Sequence, residues 1–244
     1  MQIELSPLDL QRFGVITAKA ALSEAGQTGA ALDWCARHQV ALLIARCPGS
    51  DLAQVQALEQ AGAYLTDTLV YYRKQKLAEH AVALPAGYRA RPATPDDAEA
   101  VELLAGQTFQ GYFGHYHADP RLNPADADLV YSSWAGHSCR NRAVADAVLL
   151  IEHGEQIVAF ATLKRRGEDT PEAELEGVLF GVHPLHQGQR LYHALMQLAQ
   201  NWAIAAGLDQ MLVSTQLTNL SVQKVWCRQG FEPCGSSYTF HHWF

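Results

Sequence analysis

Where the chain runs Val182-His183-Pro184 and then Gln187-Gly188-Gln189-Arg190, a polar loop joins two segments of different period. The apolar run Val178 to Val182 has strand length. His183 and Pro184 end it, because proline cannot donate to a ladder and restricts the residue before it. Leu191, Leu195, Leu198 and Trp202 then recur at spacings of 4, 3 and 4, one face of a helix. The start of such a helix presents unpaired N–H groups and the positive end of its dipole, which makes the junction an anion site. A second chemical cluster lies in Phe109 to Tyr131, which breaks regular periodicity and carries Tyr112, His115, His117, Asp119 and Arg121. Loops of this composition on a rigid scaffold are where specificity tends to sit. His115-x-His117 with Asp119 has no further cysteine or histidine at ligand spacing, so no metal centre is expected. His241 and His242 are neighbours in a strand and face opposite sides, so they form no ligand pair either.

The elements that must position these residues follow from the pattern around them. Gly29 to His38 predicts a short helix, Val40 to Cys47 a buried strand, and Asp51 the cap of a helix that carries Leu52, Val55 and Leu58 and stops at Gly62. Tyr64 to Tyr72 predicts a further strand. The same helix, strand, helix, strand unit returns near the C-terminus at a constant offset: Trp34 corresponds to Trp202 (202 − 34 = 168), Asp51 to Asn219, Leu58 to Trp226 and Gly62 to Gly230. A partial internal duplication is therefore expected. The first copy has no Val-x-Pro and no helix-opening loop before Trp34, so it is expected to be structural. Between the copies, Leu77 to Gly87 looks like a connector. Thr94 or Asp96 caps the next helix, which places Val101, Leu104 and Phe109 on its apolar side. Val148 to Glu152 and Gln156 to Lys164 form a hairpin around His153-Gly154-Glu155. Gln210 to Thr215 is a strand, Asn219 caps a helix running to Gln229, and Phe231 to Phe244 is expected to form a terminal hairpin.

Composition bounds the function classes. The chain has 244 residues, enough for one large domain or two small ones, and its 48% hydrophobic and 18% charged residues describe an ordinary globular protein. With 18 basic and 25 acidic side chains the net charge is −7, which gives no general attraction to nucleic acid or an anionic membrane. Neither a bilayer-spanning run nor a basic-then-apolar leader is visible, so the expected location is the cytoplasm. Five cysteines, Cys35, Cys47, Cys139, Cys227 and Cys234, include no C-x-x-C pair and suggest neither a disulfide framework nor a zinc site.

At the strand–loop–helix junction the chain resembles the GCN5-related N-acetyltransferases (GNAT). Their signature is a strand ending in Val-x-Pro, then Gln/Arg-x-x-Gly-x-Gly/Ala opening a helix that holds the pyrophosphate of acyl-CoA. The register fits through Gln187, but Arg190 and Tyr192 stand where the signature has glycines. Arg190 can offer a charge-assisted phosphate contact in place of a close backbone approach. Within the family the chain is most similar to the sugar-nucleotide N-acetyltransferases of the TDP-fucosamine acetyltransferase type, through Pro7-Leu8 and Phe13-Gly14, the truncated first half, the aromatic loop with an aspartate, and Thr215-Gln216-Leu217-Thr218-Asn219. The implied fold class is α/β with a mixed sheet: a GNAT acyl-CoA N-acyltransferase fold preceded by a truncated GNAT-like half. The implied domains are 1–76 (truncated half), 77–88 (connector) and 89–244 (transferase).

The resemblance implies an acetyl-CoA-dependent N-acetyltransferase that acts on the primary amine of a small molecule, such as a nucleotide-linked amino-deoxysugar. Nucleic acid and membrane are not expected partners, and a homodimer is left open. The backbone of Phe180, Gly181 and Val182 would pair with the pantetheine arm. Gln187, Gly188, Gln189, Arg190, Leu191 and Tyr192 would form the diphosphate cradle, while Asn219, counted with the catalytic residues, would hydrogen-bond the pantetheine and Trp226 would pack on the cofactor. Tyr112, His115, His117, Asp119 and Arg121 would be acceptor contacts, with Arg121 suited to a diphosphate and Asp119 to a sugar amine or hydroxyl. Strict strand alternation places Glu174 and Glu176 on one face with Val178, Phe180 and Val182, which makes these two carboxylates the candidate bases. The family often has a tyrosine acid where this chain has Trp226, and indole cannot protonate a thiolate. Tyr192 or Ser221 could assist instead, or the thiolate could leave unaided. The lost glycines and the missing tyrosine also allow another reading, a catalytically silent acyl-CoA-binding or scaffold protein.

Overall fold

Among the described residues, ten strands hydrogen-bond into a single mixed sheet, in the order β1-β2-β3-β10-β4-β9-β8-β7-β6-β5. The computed structural model describes all residues except 25, 168, 169 and 171. The first part of the chain supplies β1 (Gln2–Leu5), α1 (Pro7–Phe13), β2 (Thr17–Ala21), α2 (Gln27–Arg37), β3 (Leu42–Pro48), α3 (Leu52–Gln60) and β4 (Tyr64–Gln75). After a connector come β5 (Tyr88–Pro92), α4 (Ala98–Thr108), α5 (Pro124–Arg140), β6 (Ala147–His153), β7 (Gln156–Arg166) and β8 (Glu174–Val182). The chain ends with α6 (Leu191–Ala205), β9 (Gln210–Gln216), α7 (Leu220–Arg228) and β10 (Glu232–Trp243). Among the described residues no helix is long and apolar enough to cross a membrane.

Local chemistry accounts for most boundaries. The Asp51 side chain accepts from Gln54 N at 3.0 Å and caps α3. Thr94 and Asp97 form a reciprocal capping box just before α4. Asn123 caps α5 and Pro124 occupies its first turn, where a missing N–H does no harm. This 17-residue helix begins inside the stretch that was expected to be irregular. Asn219 does stand at the head of α7, but its side chain makes no capping bond.

Alternation then sorts the core. Leu43, Ala45 and Cys47 of β3 pack with Ala31, Cys35 and Leu58 from α2 and α3. Leu42 and Ile44, pointing the other way, meet Tyr116, Leu122, Ala127 and Val130. In the later part, Ile151, Ala159 and Leu163 lie under Leu195, Met196 and Ala199 of α6, with Trp226 of α7 in the same cluster. Leu150 and Phe160 face Val101, Leu104 and Ala105 of α4 on the opposite side. The connector is docked by Leu77, Val82 and Leu84 against the α6 side.

The repeat seen in the sequence reappears in the pairing. Adding 168 to the numbers of β3 and α3 gives 210–216 and 220–228, the bounds of β9 and α7. The exchange of final strands was not legible. Leu42 to Pro48 of β3 pair with Trp243 to Ser237 of β10, and Gln210 to Gln216 of β9 pair with Gln75 to Leu69 of β4, the same register under that shift. At the centre Leu69 faces Ser237, its own counterpart, with Thr68 opposite Tyr238 and Val70 opposite Ser236. A local two-fold therefore passes through this pair, and each copy carries the last strand of the other. This corrects the expected terminal hairpin: Glu232–Trp243 is one continuous strand, because both of its partners, β3 and β4, come from the early part of the chain.

Candidate functional site

Strand β8 leaves its neighbour part-way along its length. It pairs in parallel with β9 only from Leu175–Met211 to Gly177–Val213, while residues 178–182 continue as strand alongside β7. The cause is local. The register against β7 shifts between Thr162–Leu179 and Leu163–Gly177, so Val178 is the extra residue of a bulge, which bends the strand and increases its twist. Gly177 permits the crowding at that point, since a Cβ there would lie 2.7 Å from Phe180 Cε2 and 2.8 Å from Met211 Cε. The equivalent strand β2 ends at Ala21 with its last pair to β3 and leaves no such arm. The β9-facing edge of Phe180, Gly181 and Val182 thus borders a V-shaped gap whose arms are β8 and β9.

The bulge also corrects the strict alternation assumed for β8. Leu175 before it, and Phe180 and Val182 after it, face the α6 cluster. Even-numbered Glu174 and Glu176 therefore lie on the face opposite Phe180 and Val182. Both carboxylates are held: Glu174 by Arg73 at 2.8 and 3.2 Å, and Glu176 by Arg166 at 2.5 Å. They sit at the zipped end of β8, before the gap opens.

Beyond Val182, Pro184–His186 makes a single 3-10 turn, and Gly188 and Arg190 take left-handed backbone conformations with φ 78° and 61°. Arg190 is the residue immediately before α6 and offers that helix no side-chain cap. Arg190 thus holds, with a side chain, a backbone conformation that favours glycine. At the head of α2, Gly26 takes the same left-handed form with φ 83°. Tyr88 organises the loop: its hydroxyl lies 2.8 Å from His186 Nδ1 and donates to Gln189 Oε1 at 2.8 Å. Gln187 Nε2 donates to Val182 O at 3.3 Å and ties loop to strand. Gln187, Gly188, Gln189 and Arg190 are exposed, whereas Leu191 is buried in the core.

Tyr192 turns inward. Its ring lies 5.6 Å from that of Phe180, and its hydroxyl accepts from Trp226 Nε1 at 3.0 Å. Burial pushes the Tyr192 phenol well above its ordinary value, so it is a neutral hydrogen-bonding group. Trp226 is 2% exposed and packs on Tyr72 at 5.4 Å. Asn219 reaches back from the head of α7: Nδ2 donates to Thr215 Oγ1 at 3.0 Å, and Oδ1 accepts from Ser221 Oγ at 3.0 Å.

The aromatic loop divides into two environments. Tyr112 and Phe113 approach the end of β9, where Phe113 O accepts from Gln216 Nε2 at 2.5 Å. Burial raises the Tyr112 phenol, against a hydrogen bond with Thr215. The remaining candidates lie further towards β10. Asp119 is 1% exposed, and its Oδ2 accepts from His241 Nδ1 at 2.7 Å and Trp243 Nε1 at 2.8 Å. Burial alone would raise its carboxyl, but the surrounding donors hold it below the usual range. His241 Nε2 is 3.0 Å from His115 Nδ1, and burial lowers both imidazoles, so the chain Asp119–His241–His115 carries neutral histidines. His117 pairs with Asp128 at 3.0 Å, and Arg121 lies over the Trp243 ring at 5.2 Å. Asp119 is thus a latch between loop and final strand.

One charged residue near the gap was missed in the sequence. Asp67 of β4 lines a cavity of about 290 Å³ together with Thr68, Phe113, Gln216 and Thr218. Its available signal was an aspartate in mid-strand, where aspartate is depleted.

Comparisons with known proteins bear on the fold and the family of the chain. The spore coat polysaccharide biosynthesis protein SpsD of Bacillus subtilis (strain 168) is 24% identical over 216 residues, covering 82% of this chain; the chain spans 66%, just under two thirds, of that protein's length. A GCN5-related N-acetyltransferase from Sphaerobacter thermophilus superposes with a TM-score of 0.66 at 13% identity, over 99% of this chain and 76% of that one. A tandem GNAT protein from the clavulanic acid biosynthesis pathway gives 0.64 at 15% identity, over 94% of this chain and 76% of that one. At such identities the likeness is one of fold. The model of the acetyltransferase (GNAT) family matches residues 109–231, from the aromatic loop to the end of α7, and this chain belongs to that family.

Proposed function

We propose that the chain transfers an acetyl group from acetyl-CoA to the primary amine of a small molecule, with the transferase unit in residues 89–244, a connector in 77–88 and residues 1–76 as a truncated half that completes the sheet. The observation that carries this reading is the departure of β8 from β9 after Gly177, directly before the loop that opens α6. An unpaired strand edge can accept the amides of pantetheine as a further strand would. The exposed residues Gln187 to Arg190 and the first N–H groups of α6 suit the diphosphate. Attack by the amine on the thioester needs alignment and a polarised carbonyl, which backbone donors in the gap can supply. A relative named for polysaccharide biosynthesis supports an acceptor built on a sugar, such as a nucleotide-linked amino-deoxysugar.

One observation favours a second reading, a catalytically silent acyl-CoA-binding or scaffold protein: Tyr192 fills space beside Phe180 and is tied to Trp226, which cannot act as an acid. Calorimetry with acetyl-CoA together with thiol release in the presence of dTDP-linked and free aminohexoses separates the two. Saturable binding with amine-dependent thiol release is expected. Saturable binding without release for any amine would favour the silent protein, and no binding at millimolar acetyl-CoA would sink both.

A further inference from the structure

We infer that the acceptor site is composite, and that Asp67, on the exchanged strand β4 of the early half, is the carboxylate that receives the acceptor's ammonium group and takes its proton. The inference rests on the acetyl-transfer reading and adds to it where the acceptor binds and what charge it carries.

Location comes first. From Val213, where β8 parts from β9, strand β9 runs through Ser214 and Thr215 to Gln216, and Gln216 lines the cavity that holds Asp67. Three residues at about 3.3 Å each put the cavity about 10 Å from the point of divergence, within the span of one sugar ring and a side chain. The cavity volume of about 290 Å³ admits a small acceptor. Early and late halves are joined there, since Leu217 N donates to Thr68 O at 2.8 Å.

Chemistry comes second. Among the described residues lining this cavity, Asp67 is the one ionisable side chain, and it is half-buried. One oxygen accepts from Thr68 N at 2.7 Å, and the other, among the described residues, has a long contact of 3.4 Å from Gln216 Nε2, whose second N–H donates to Phe113 O. A carboxylate has about four acceptor positions, so capacity remains for a cation. Burial raises its carboxyl, opposed in part by Gln216, Thr68 N and the charge of Arg46. A carboxylate so placed is a better proton acceptor than one in water. The titratable neighbours are Arg46 from β3, Tyr112 from the loop and Tyr131 from α5, and burial keeps both phenols neutral.

Asp67 takes one proton from R–NH3+, giving R–NH2, whose lone pair attacks the thioester carbon. The N–C bond forms, the C–S bond breaks, and the thiolate takes the second proton lost by nitrogen. Asp67 returns its proton to solvent, so R–NH3+ and acetyl-CoA give the amide, CoA thiol and one proton.

The test measures acetyl-CoA affinity by calorimetry and amine kinetics, with free and dTDP-linked aminohexoses as probes, for wild type, D67N, D67E and F113A. Expected are an acetyl-CoA Kd within twofold of wild type in all three variants and a fall in kcat/KM of at least 100-fold in D67N. D67E should recover part of that activity, the acidic limb of the D67N pH profile should vanish, and KM should rise in F113A. Phe113 is 63% exposed, so F113A keeps the test usable should D67N fail to fold. Amine kcat/KM within threefold of wild type in D67N, or in F113A where D67N is unfolded, would overturn the inference and leave the coenzyme site standing. Wild type that binds acetyl-CoA but acetylates none of the probes overturns the inference, and wild type that does not bind it overturns the underlying reading as well.

Discussion

Replacing Arg190 by glycine should make the protein more stable and its coenzyme site weaker. Arg190 holds a φ of 61°, where a side chain crowds the following carbonyl at a cost of about 1–2 kcal/mol. Glycine relieves that strain but frees the unfolded chain by about 0.5–1 kcal/mol. At the middle of both ranges the net gain is about 0.75 kcal/mol, or about 1.5–3 °C for a chain of this size. The guanidinium is exposed, so its ion pair with a diphosphate is discounted for solvent to about 1 kcal/mol, roughly a fivefold rise in the Kd for acetyl-CoA. Arg190→Ala separates the two effects, since alanine keeps the backbone strain and loses the charge. Differential scanning fluorimetry should rank glycine above alanine in Tm, and calorimetry should show both weakened alike, the loss shrinking with added salt. A glycine variant no more stable than the alanine variant would refute the strain argument. Unchanged affinity in both would remove the phosphate contact.

Tyr192→Phe leaves the buried indole N–H of Trp226 without its acceptor and should lower stability by about 1–2 kcal/mol, about 2–8 °C in Tm; an unchanged melting curve would show that the bond at 3.0 Å contributes nothing. Acid should destabilise the fold in two stages. His115 and His241 have pKa values lowered by burial and Asp119 has one lowered by its donors, so each binds fewer protons folded than unfolded, and the stability they give at neutral pH is lost as pH falls. The histidine loss begins below about 6.5 and that of Asp119 below about 4. Denaturant midpoints flat from pH 8 to 5 would contradict this, and His241→Gln should reduce the slope. Removing residues 1–76 deletes β3 and β4, both neighbours of β10, and bares an edge of β9. The remainder should be unfolded or aggregated by circular dichroism and gel filtration; a cooperative monomer would mean that β10 finds a new partner.

What could be read from the chain was what local chemistry determines. The cap Asp51, the hairpin around Gly154 and the offset of 168 residues from Trp34 to Trp202 are each stated by a few neighbouring side chains. Strand periodicity says that a strand exists and which way its residues point, but not which strand lies beside it. The exchange of β4 and β10 is for that reason invisible in Tyr64–Gln75 and Glu232–Trp243. The bulge was hidden because one added residue leaves no mark except a glycine, and strict counting through Val178 put Glu174 and Glu176 on the wrong face. Helix α5 was missed although Asn123-Pro124 is a readable start, since the surrounding aromatics obscured the period. Asp119 was named an acceptor contact from the family resemblance, and nothing in the sequence pointed to its partners: only the fold brings His241 and Trp243 from the far end of the chain to bind it.

The strand exchange ties the early half of the chain to the late half through β4 and β10. A sheet that ended at β9 would present a bare row of N–H and C=O groups beside the gap, a liability for any soluble protein. β4 covers that row in register from Leu69–Gln216 to Gln75–Gln210 and continues past it, so that its leading residues, Leu65 to Thr68, become a wall of the cavity. On the acceptor site proposed above, stability and recognition are coupled through one segment. A side-chain substitution in Leu65–Thr68 then changes the surface offered to the acceptor, while the β4–β9 ladder, which begins at Leu69, is left intact. On that reading, changes in acceptor preference are expected to arise on β4, where Leu65–Thr68 remain paired with β10, whereas changes on β8, which is bulged and packed around Gly177, disturb the gap itself.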